Sequence, residues 1–346
     1  MDHLTQTTVL VTGGGAPGAA GIIKAITKSG RYKVIAADAR PVTVGKLLAD
    51  DYVQIPAGND VNFITRLLEV CLEKKVRIVL PLVTKELLPL AENRERFESN
   101  GITVIVSNPS SLRIANNKCG LYDYFKDFDF IPSYQRCATP DELFTAIEQF
   151  GFPAKPVCFK PCSSNGSRGF RILDNNKDRL DLLFNHKPDS THISLTELKT
   201  ILQDQTIPEL LVSEYLPGME YSVDLFCIEG KLIIALPRKR IKMTGGISVE
   251  GEFEENAAII AAARTIVEKT GLHGHIGLQF KEAEDKTLKL LEINPRLQGT
   301  SVSASGAGIN LVLLGLDYAC NKVLPPLPVI QWGKKFIRFW DEVYYS

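Results

Sequence analysis

Three side chains near the C-terminal end of the chain carry oxygen atoms at a spacing suited to a metal ion. Gln279 lies thirteen residues before Glu292, and Asn294 follows two residues later. Apolar stretches at 275–281 and 287–294, with a polar turn between them, predict a β-hairpin. Because side chains alternate along a strand, Glu292 and Asn294 face one side, and Gln279 on the partner strand can join them. One carboxylate and two amide oxygens suit a hard dication that keeps water and phosphate ligands, such as Mg²⁺.

An arginine follows this stretch directly. Arg296 comes after Pro295, which stiffens the turn. An arginine beside a bound cation suggests that a phosphate group is held from two sides, by the metal and by the guanidinium. The alternative interpretation is a polar strand end followed by an ordinary surface arginine, and the residue types alone favour neither.

A strand that ends in a lysine, followed by a flexible loop, forms the second motif. Residues 154–161 predict a strand with Lys160 near its end, and residues 162–169 are polar and contain glycine. Such a loop can fold over phosphates, with the lysine as a point charge on the α or β phosphate. An ordinary surface hairpin loop is the alternative. The loop residues assigned to phosphate binding are Ser163, Ser164, Gly166, Ser167 and Gly169.

The third motif has residues that suit a nucleoside. The extended piece made of Glu214, Tyr215 and Leu216 can present backbone N–H and C=O groups to the edge of a planar base. Glu220 lies past a Pro-Gly turn, and its carboxylate can accept hydrogen bonds from two ribose hydroxyls. The alternative is a hairpin with exposed acids.

A basic cluster is the fourth motif. Four of the five residues at 238–242 are basic, and they follow a predicted strand at 231–236. Facing solvent, they would be an ordinary charged cluster. Facing the predicted metal, they would offset the charge of a transferred phosphate. Arg238 and Arg240 are the candidates for contacts with substrate or phosphate.

A glycine-rich turn near the N-terminus has the spacing of a dinucleotide-binding fingerprint. Gly13, Gly15 and Gly18 lie between a predicted strand and a predicted helix, and Asp38 follows twenty residues after the last glycine. Three interpretations remain open. They are a nicotinamide site, an anionic substrate group held at the helix start, and a tight turn with no ligand.

The composition limits the classes of function. Forty basic residues balance forty acidic ones, so no global field draws the chain to nucleic acid or to a membrane surface. No apolar run approaches the roughly 18 residues of a membrane-spanning helix, and the first residues do not resemble an export signal. The seven cysteines are odd in number and several lie in apolar runs. They favour buried reduced thiols in the cytoplasm over a disulfide framework.

The order of predicted elements indicates an α/β protein. Strands alternate with helices over the first 115 residues, which predicts a Rossmann-like parallel sheet with right-handed crossovers. The later strands look antiparallel. Strands are predicted at 8–12, 32–38, 77–81, 103–107, 210–218 and 220–227, and in the C-terminal tail at 334–345. Helices are predicted at 19–29, 62–74, 85–100, 115–125, 139–150 and 254–270.

Taken together and in this order, the motifs resemble the ATP-grasp superfamily. The resemblance is to the synthetase unit of the carbamoyl-phosphate synthase large subunit and to single-unit carboxylate–amine ligases, and it runs from about Val9 to about Asp317. It implies three domains. They are a Rossmann-like pre-ATP-grasp domain at 1–115, a small lobe with the phosphate-covering loop at 116–209, and a large lobe with the metal and substrate site at 210–346.

The resemblance also implies roles for single residues. Lys118 and Lys160 fall where the family places basic residues on ATP phosphates, and Arg296 falls beside the γ phosphate. Residues 214–216 look like the adenine hinge. The remaining implied roles are the ribose carboxylate for Glu220 and the metal ligands for Gln279, Glu292 and Asn294.

The implied activity is that of an ATP-dependent ligase, which forms a C–N bond through an acyl phosphate. Its cofactors would be ATP with Mg²⁺ or Mn²⁺, and its partners a small carboxylate and an amine or ammonia. Such relatives are commonly homodimers. Two departures stand out, because Asn117 replaces a frequent acidic residue and Gln279 replaces the acid that many relatives carry. The other hypotheses are a nicotinamide-dependent oxidoreductase or epimerase, and a nucleotide-binding protein without turnover.

Overall fold

The computed structural model describes residues 6–164, 166, 168–186 and 190–345. The strands are β1 Thr7–Thr12, β2 Tyr32–Asp38, β3 Asp51–Gln54, β4 Ile78–Leu80, β5 Thr103–Val104, β6 Tyr134–Cys137, β7 Val157–Pro161, β8 Arg171–Leu173, β9 Leu210–Glu214, β10 Glu220–Ile228, β11 Lys231–Thr244, β12 Ile247–Phe253, β13 Gly274–Glu282, β14 Leu288–Asn294 and β15 Lys335–Ile337. The helices are α1 Ala19–Thr27, α2 Val44–Leu48, α3 Phe63–Glu73, α4 Thr84–Glu92, α5 Arg94–Glu98, α6 Pro109–Ala115, α7 Lys118–Tyr124, α8 Pro140–Gln149, α9 Arg179–Asn185, α10 Leu195–Leu202, α11 Ala257–Thr270 and α12 Leu311–Asn321. A 3₁₀ helix covers Ser301–Ala307.

The described residues form two units. Unit 1 contains residues 1–116, 220–280 and 293–346, and unit 2 contains residues 117–219 and 281–292. The first boundary lies one residue past the domain end predicted at 115. The boundary predicted after 209 falls inside unit 2, because β9 pairs with β6 and β7 of that unit. The division into three domains stays a prediction.

Unit 1 begins with the parallel sheet that the sequence predicts. Its strand order is β3-β2-β1-β4-β5, and β1 pairs in parallel with both β2 and β4. Both faces are apolar and covered, as expected for parallel strands that are buried on two sides. One core includes Leu10, Phe63 and Leu87, and the other includes Val9, Ile22 and Val312. The α/β class and the Rossmann-like start are therefore confirmed.

Two details of this sheet differ from the prediction. The helix predicted at 85–100 is broken into α4 and α5 at Asn93. This residue has φ −113° and ψ 13°, and its side-chain amide donates to the Pro89 carbonyl at 3.0 Å. That side-chain bond to the backbone competes with a continuous helix. The short elements α2 and β3 were not predicted, because four or five residues give too little periodicity to detect.

A second sheet, most of whose residues belong to unit 1, has the strand order β14-β13-β10-β11-β12-β15. It contains the predicted hairpin of β13 and β14. It also corrects the reading of the basic cluster, which does not follow a strand. The strand β11 continues for fourteen residues to Thr244, so residues 238–242 lie within it. Side chains alternate between the two faces from Arg238 to Arg240, and the register with β12 shifts after Arg240.

Unit 2 is built on the antiparallel sheet β6-β9-β7-β8. Helix α8 begins as predicted at Pro140, with Thr139 and Glu142 forming a capping box. Its buried side chains Leu143 and Ile147 pack in one core with Val157 and Val212.

A disulfide in unit 2 corrects the cysteine prediction in part. Cys119 and Cys162 are bonded, with their Cα atoms 5.0 Å apart. They are 43 residues apart in the sequence, so no local spacing signals the pair. The prediction of buried free thiols holds for four others, which are Cys71, Cys137, Cys158 and Cys227.

The helices of the described part of the chain bear on the membrane prediction. None of them alone is long and apolar enough to cross a bilayer, and the 3₁₀ helix with α12 reaches that length only as a pair bent by 99°.

Candidate functional site

Two lysines and a carboxylate lie together in unit 2. Lys118 is the first residue of α7, which Asn117 caps by accepting from the Gly120 N–H. The Lys118 Nζ lies 3.5 Å from Glu292 Oε2 and donates to the Ser164 carbonyl at 2.6 Å. Burial lowers the pKa of the Lys118 ammonium. The negative charge of Glu292 acts to raise this pKa, and the positive charge of Lys160 lowers it further. A buried ammonium that also feels a second cation is suited to an anionic ligand.

Lys160 approaches the same point of β14 from the end of β7. Its Nζ donates to the Leu291 carbonyl at 3.0 Å and to the Tyr122 hydroxyl at 3.1 Å. The ammonium also lies 5.0 Å from the centre of the Tyr122 ring, and this ring donates its hydroxyl to the Leu290 carbonyl. Residues far apart in the sequence therefore converge on residues 290–292.

The predicted phosphate loop follows Lys160. Ser164 accepts the hydrogen bond from Lys118, and Gly169 has φ +78° with Pro161 only 2.6 Å from the position of a Cβ. A side chain at 169 would therefore be strained and would collide with the strand. Ser163 precedes Ser164, Gly166 lies between Ser164 and Gly169, and Ser167 falls outside the described residues.

The predicted adenine hinge lies at the end of β9. The Glu214 carboxylate accepts from the Ser133 N–H at 2.8 Å, so this side chain anchors the strand end. The Tyr215 ring lies 5.6 Å from the ammonium of Lys281, and Leu216 is buried. The hinge segment is thus held by its side chains, as presentation of its backbone to a base would require.

The predicted ribose carboxylate belongs to unit 1. Glu220 begins β10 and forms an ion pair with Arg240 of β11. Arg240 also donates to the Ser248 hydroxyl at 3.1 Å and to the Gly246 carbonyl. Glu220 was predicted to bind the ribose, and Arg240 to contact substrate or phosphate. In the structure the two form an ion pair, and Arg240 orients Glu220.

Arg238 has a different environment from the one predicted. Its side chain is fully buried, and its Nε lies 2.9 Å from the Asp224 carboxylate. Its other nitrogens donate to the Ser248 and Thr300 hydroxyls. The guanidinium is not exposed to solvent and has three acceptors inside the protein. It links strands β10 and β12 to Thr300. These contacts give Arg238 a structural role, in place of the substrate contact that the sequence suggested.

The remaining predicted residues of unit 1 lie on the hairpin and just after it. Gln279 is on β13 and Asn294 ends β14, and both are half-buried. Arg296 donates its Nε to the Thr84 hydroxyl at 3.1 Å and its Nη1 to the Leu297 carbonyl at 2.8 Å. Thr84 opens α4, so Arg296 is tied to the carboxyl-end side of the parallel sheet.

Sequence reasoning missed a buried acid in this region. Glu86 lies in the first turn of α4 and accepts a hydrogen bond from the Thr12 hydroxyl at the end of β1. Burial raises its pKa to about 7, and Asp38 adds to the rise. An acid in the first turn of a helix is common on electrostatic grounds, so the sequence gives no sign of this one's burial.

We expect Glu86→Gln to change how stability depends on pH. A carboxyl whose pKa is raised from 4.5 to about 7 on folding ionises first in the unfolded chain. The wild-type free energy of unfolding should therefore fall as pH rises through this window, by about 3 kcal/mol at most. Glutamine removes that fall. Urea unfolding at pH 4.5, 6 and 8 measures it, with Glu92→Gln on the exposed face of α4 as the control. Equal pH slopes for wild type and Glu86→Gln would contradict the assignment.

Side chains and backbone of the protein itself contact the glycine-rich turn at residues 13–18. The Gly15 N–H donates to the Asp38 carboxylate at 2.8 Å, and Asp38 also pairs with Arg40. The Arg40 guanidinium lies where a Cβ on Gly15 would be, and a Cβ on Gly18 would lie 2.8 Å from the Gly299 Cα. The fingerprint spacing therefore serves close backbone packing and an internal acid–amide bond.

The class of protein follows from this architecture and from two matches to family models. The chain is an α/β protein in which a parallel N-terminal sheet precedes antiparallel sheets with a lysine–carboxylate site. Residues 9–105 match the model described as PylC-like, N-terminal domain. Residues 206–334 match the model described as ATP-grasp in the biosynthetic pathway with Ter operon. These two matches confirm the predicted resemblance to the ATP-grasp superfamily.

Solved structures share this fold over most of the chain. N5-carboxyaminoimidazole synthetase from Staphylococcus aureus, complexed with ADP, is 14% identical with a TM-score of 0.66, covering 92% of this chain and 78% of that one. L-amino acid ligase from Bacillus licheniformis is 15% identical with a TM-score of 0.63, covering 91% and 74%. Biotin carboxylase from Campylobacter jejuni is 16% identical with a TM-score of 0.65, covering 94% and 74%. No curated protein matches the sequence.

Proposed function

We propose that the protein is an ATP-dependent ligase that joins a small carboxylate to an amine or ammonia. The observation that carries this proposal is the convergence of Lys118 and Lys160 on β14 beside Glu292. Two ammonium groups next to a carboxylate suit a polyphosphate and the metal ion that accompanies it. The ATP-grasp family match and the ADP complex of a structural neighbour support the same ligand.

The proposed reaction has two steps. An oxygen of the substrate carboxylate attacks the γ phosphorus of ATP, the bond from that phosphorus to the β–γ bridging oxygen breaks, and ADP leaves. The amine nitrogen then attacks the acyl carbon, the bond from that carbon to the phosphate breaks, and the nitrogen loses a proton. The protein contributes positioning and charge neutralisation, because no side-chain nucleophile is needed.

Apart from Arg238, the predicted residues have tasks in this proposal. Lys118 and Lys160 hold the α and β phosphates, and Arg296 neutralises charge on the transferred group. Glu220, oriented by Arg240, accepts from the ribose hydroxyls. The hinge at 214–216 meets the adenine edge, and the loop at 163–169 covers the phosphates, which protects an acyl phosphate from water.

The predicted metal ligands are Gln279, Glu292 and Asn294. One carboxylate and two amides provide oxygen donors of low total charge, and Glu292 and Asn294 lie on one side of β14. Such a set fits Mg²⁺, with Mn²⁺ as the alternative. When bound by these residues, the metal would supply positive charge that offsets the charge of the phosphates.

Two of the structural neighbours support a carboxylate as the acceptor of phosphate. One is an L-amino acid ligase, and another is a biotin carboxylase domain in complex with MgADP and bicarbonate. The proposal therefore extends to amino acids and to bicarbonate as first substrates to test. It also includes a cytoplasmic location, a homodimer, and no nucleic-acid or membrane partner.

The oxidoreductase hypothesis has less support. Asp38, the residue that would bind a ribose in a dinucleotide site, already accepts from Gly15, and Arg40 covers that glycine. A nicotinamide cofactor would have to displace both. The hypothesis of a nucleotide-binding protein without turnover is separated from a ligase only by measured turnover.

The test is a screen of carboxylate and amine pairs with ATP and Mg²⁺. We expect release of ADP and phosphate in a strict ratio with the amide product, and no AMP. Thermal unfolding with each nucleotide gives the ligand class, and a rise in Tm with MgATP but not with NAD(P) is expected. AMP release, or stabilisation by NAD(P) alone, would overturn the proposal.

A further inference from the structure

The disulfide of unit 2 lies between the two lysines of the site. Cys119 follows Lys118 in the first turn of α7, and Cys162 comes two residues after Lys160 at the end of β7. Both half-cystines are buried, with exposed fractions of 0% and 3%. The two cysteines are 43 residues apart in the sequence. Tertiary contacts alone therefore set the distance between the two lysines.

The contacts around the disulfide reach the phosphate-binding groups directly. The Lys118 N–H donates to the Cys162 carbonyl at 2.8 Å, and the Cys162 N–H donates to the Glu209 carbonyl at 3.0 Å. The Lys118 ammonium donates to the Ser164 carbonyl at 2.6 Å. The start of α7 and the end of β7 are therefore joined by one covalent bond and two hydrogen bonds, one from the backbone and one from the side chain of Lys118.

We propose that the Cys119–Cys162 pair is a redox modification site that controls nucleotide binding. The proposal rests on the proposed function, because the lysines are taken to hold phosphates. In the disulfide form, the covalent bond keeps the start of α7 against the end of β7. In the dithiol form, the two sulfur atoms need a van der Waals separation in a packed interior, so the two segments move apart. The two ammonium groups then lose the spacing that a triphosphate requires.

The exchange reaction balances without an added cofactor in the protein. A dithiol reductant attacks one sulfur as a thiolate and forms a mixed disulfide, and its second thiolate releases the protein sulfur. The reductant becomes a disulfide, and the protein gains two electrons and two protons as two thiols. A small-molecule disulfide reverses the reaction. Because both sulfur atoms are buried, attack requires a local opening, which predicts slow exchange.

The four buried free cysteines do not compete for this chemistry. Burial raises the pKa of Cys71 to about 12 and that of Cys137 to about 11, and it raises the pKa of Cys158 and of Cys227. Such thiols are poor nucleophiles. Cys320 is exposed and provides the matched control.

The test compares the oxidised and reduced full-length protein. Differential alkylation and mass spectrometry give the state of each cysteine, and calorimetry with MgADP gives Kd. We expect reduction to weaken MgADP binding about tenfold, the effect of one charge-assisted hydrogen bond. Cys320→Ala should keep this response. Cys119→Ala/Cys162→Ala cannot form the bond, so its Kd for MgADP should be the same with and without reductant.

Two results would overturn the proposal. One is the finding of free thiols at 119 and 162 after treatment with a disulfide oxidant. The other is an equal Kd for the two forms of the wild type, a comparison that needs no variant to fold.

A readout without nucleotide separates this proposal from the proposed function. Hydrogen exchange of the amides at 118–121, at 160 and at 162–164 should become faster on reduction in wild type, and should not respond in the double variant. If neither form binds MgADP, the proposed function fails, and the control of nucleotide binding fails with it. If hydrogen exchange still responds to reduction in that case, the disulfide is a redox-sensitive link between α7 and β7. If hydrogen exchange does not respond, that conclusion fails too.

Discussion

Replacement of Glu292 by alanine is expected to lower kcat/KM for ATP-dependent product formation by about 10³-fold. The variant loses the one charged ligand of the proposed metal and the carboxylate that lies 3.5 Å from the Lys118 ammonium. Both losses affect how the phosphates are bound. The metal is held more weakly, and the positive charge of Lys118 and Lys160 is no longer offset by the carboxylate of residue 292. Release of ADP measures the activity. Circular dichroism and Tm show that the fold persists, since Lys118 keeps its bond to Ser164.

The control for this experiment lies on the same hairpin. Glu284→Ala removes an exposed carboxylate from the turn between β13 and β14, and its activity should stay within about twofold of wild type. Glu292→Gln separates charge from shape, and should bind Mg²⁺ more weakly with little change in Tm. Wild-type turnover in Glu292→Ala would refute the metal assignment.

Replacement of Arg238 by alanine is expected to lower the free energy of unfolding by about 3–5 kcal/mol. The Asp224 carboxylate is 1% exposed and would be left as a buried charge without its guanidinium partner. Ser301 and Gln298 would still donate to it, so part of the solvation is kept. Urea unfolding followed by tryptophan fluorescence measures the loss.

Two further variants test the structural assignment of Arg238. Arg238→Lys should recover only a fraction of the stability, because an ammonium cannot reach Asp224, Ser248 and Thr300 in the planar geometry of a guanidinium. Arg113→Ala breaks an exposed ion pair with Glu92 and should change stability by less than about 1 kcal/mol. A stable Arg238→Ala protein with lost turnover would restore the catalytic role that we have set aside.

Much of the fold could be predicted because its signals are local. The strand predicted at 32–38 has the observed bounds, and α8 starts at the proline after its threonine cap. The hairpin of β13 and β14 follows from two apolar stretches around a polar turn. These are cases in which propensity, pattern and turn chemistry agree within a dozen residues.

What could not be predicted depends on tertiary contacts. The basic residues of β11 alternate between faces from Arg238 to Arg240, but only the structure tells which face is buried and that Arg238 pairs with Asp224. Burial likewise distinguishes Glu86 from the other acids at helix starts. The disulfide between Cys119 and Cys162 joins two segments that are far apart in the sequence, and no sequence motif pairs them. The convergence of Lys118 and Lys160 was suggested only by the resemblance to a family.

The contact between Gly18 and Gly299 has a consequence for how such chains evolve. A Cβ on Gly18 would lie 2.8 Å from the Gly299 Cα, whereas a Cβ on Gly299 would meet no atom nearer than 3.8 Å. The constraint therefore acts on one side: a side chain at 18 requires the segment at 299 to move, and a side chain at 299 requires no movement of the turn. Selection for shape can then maintain a glycine in a motif that looks like a cofactor signature.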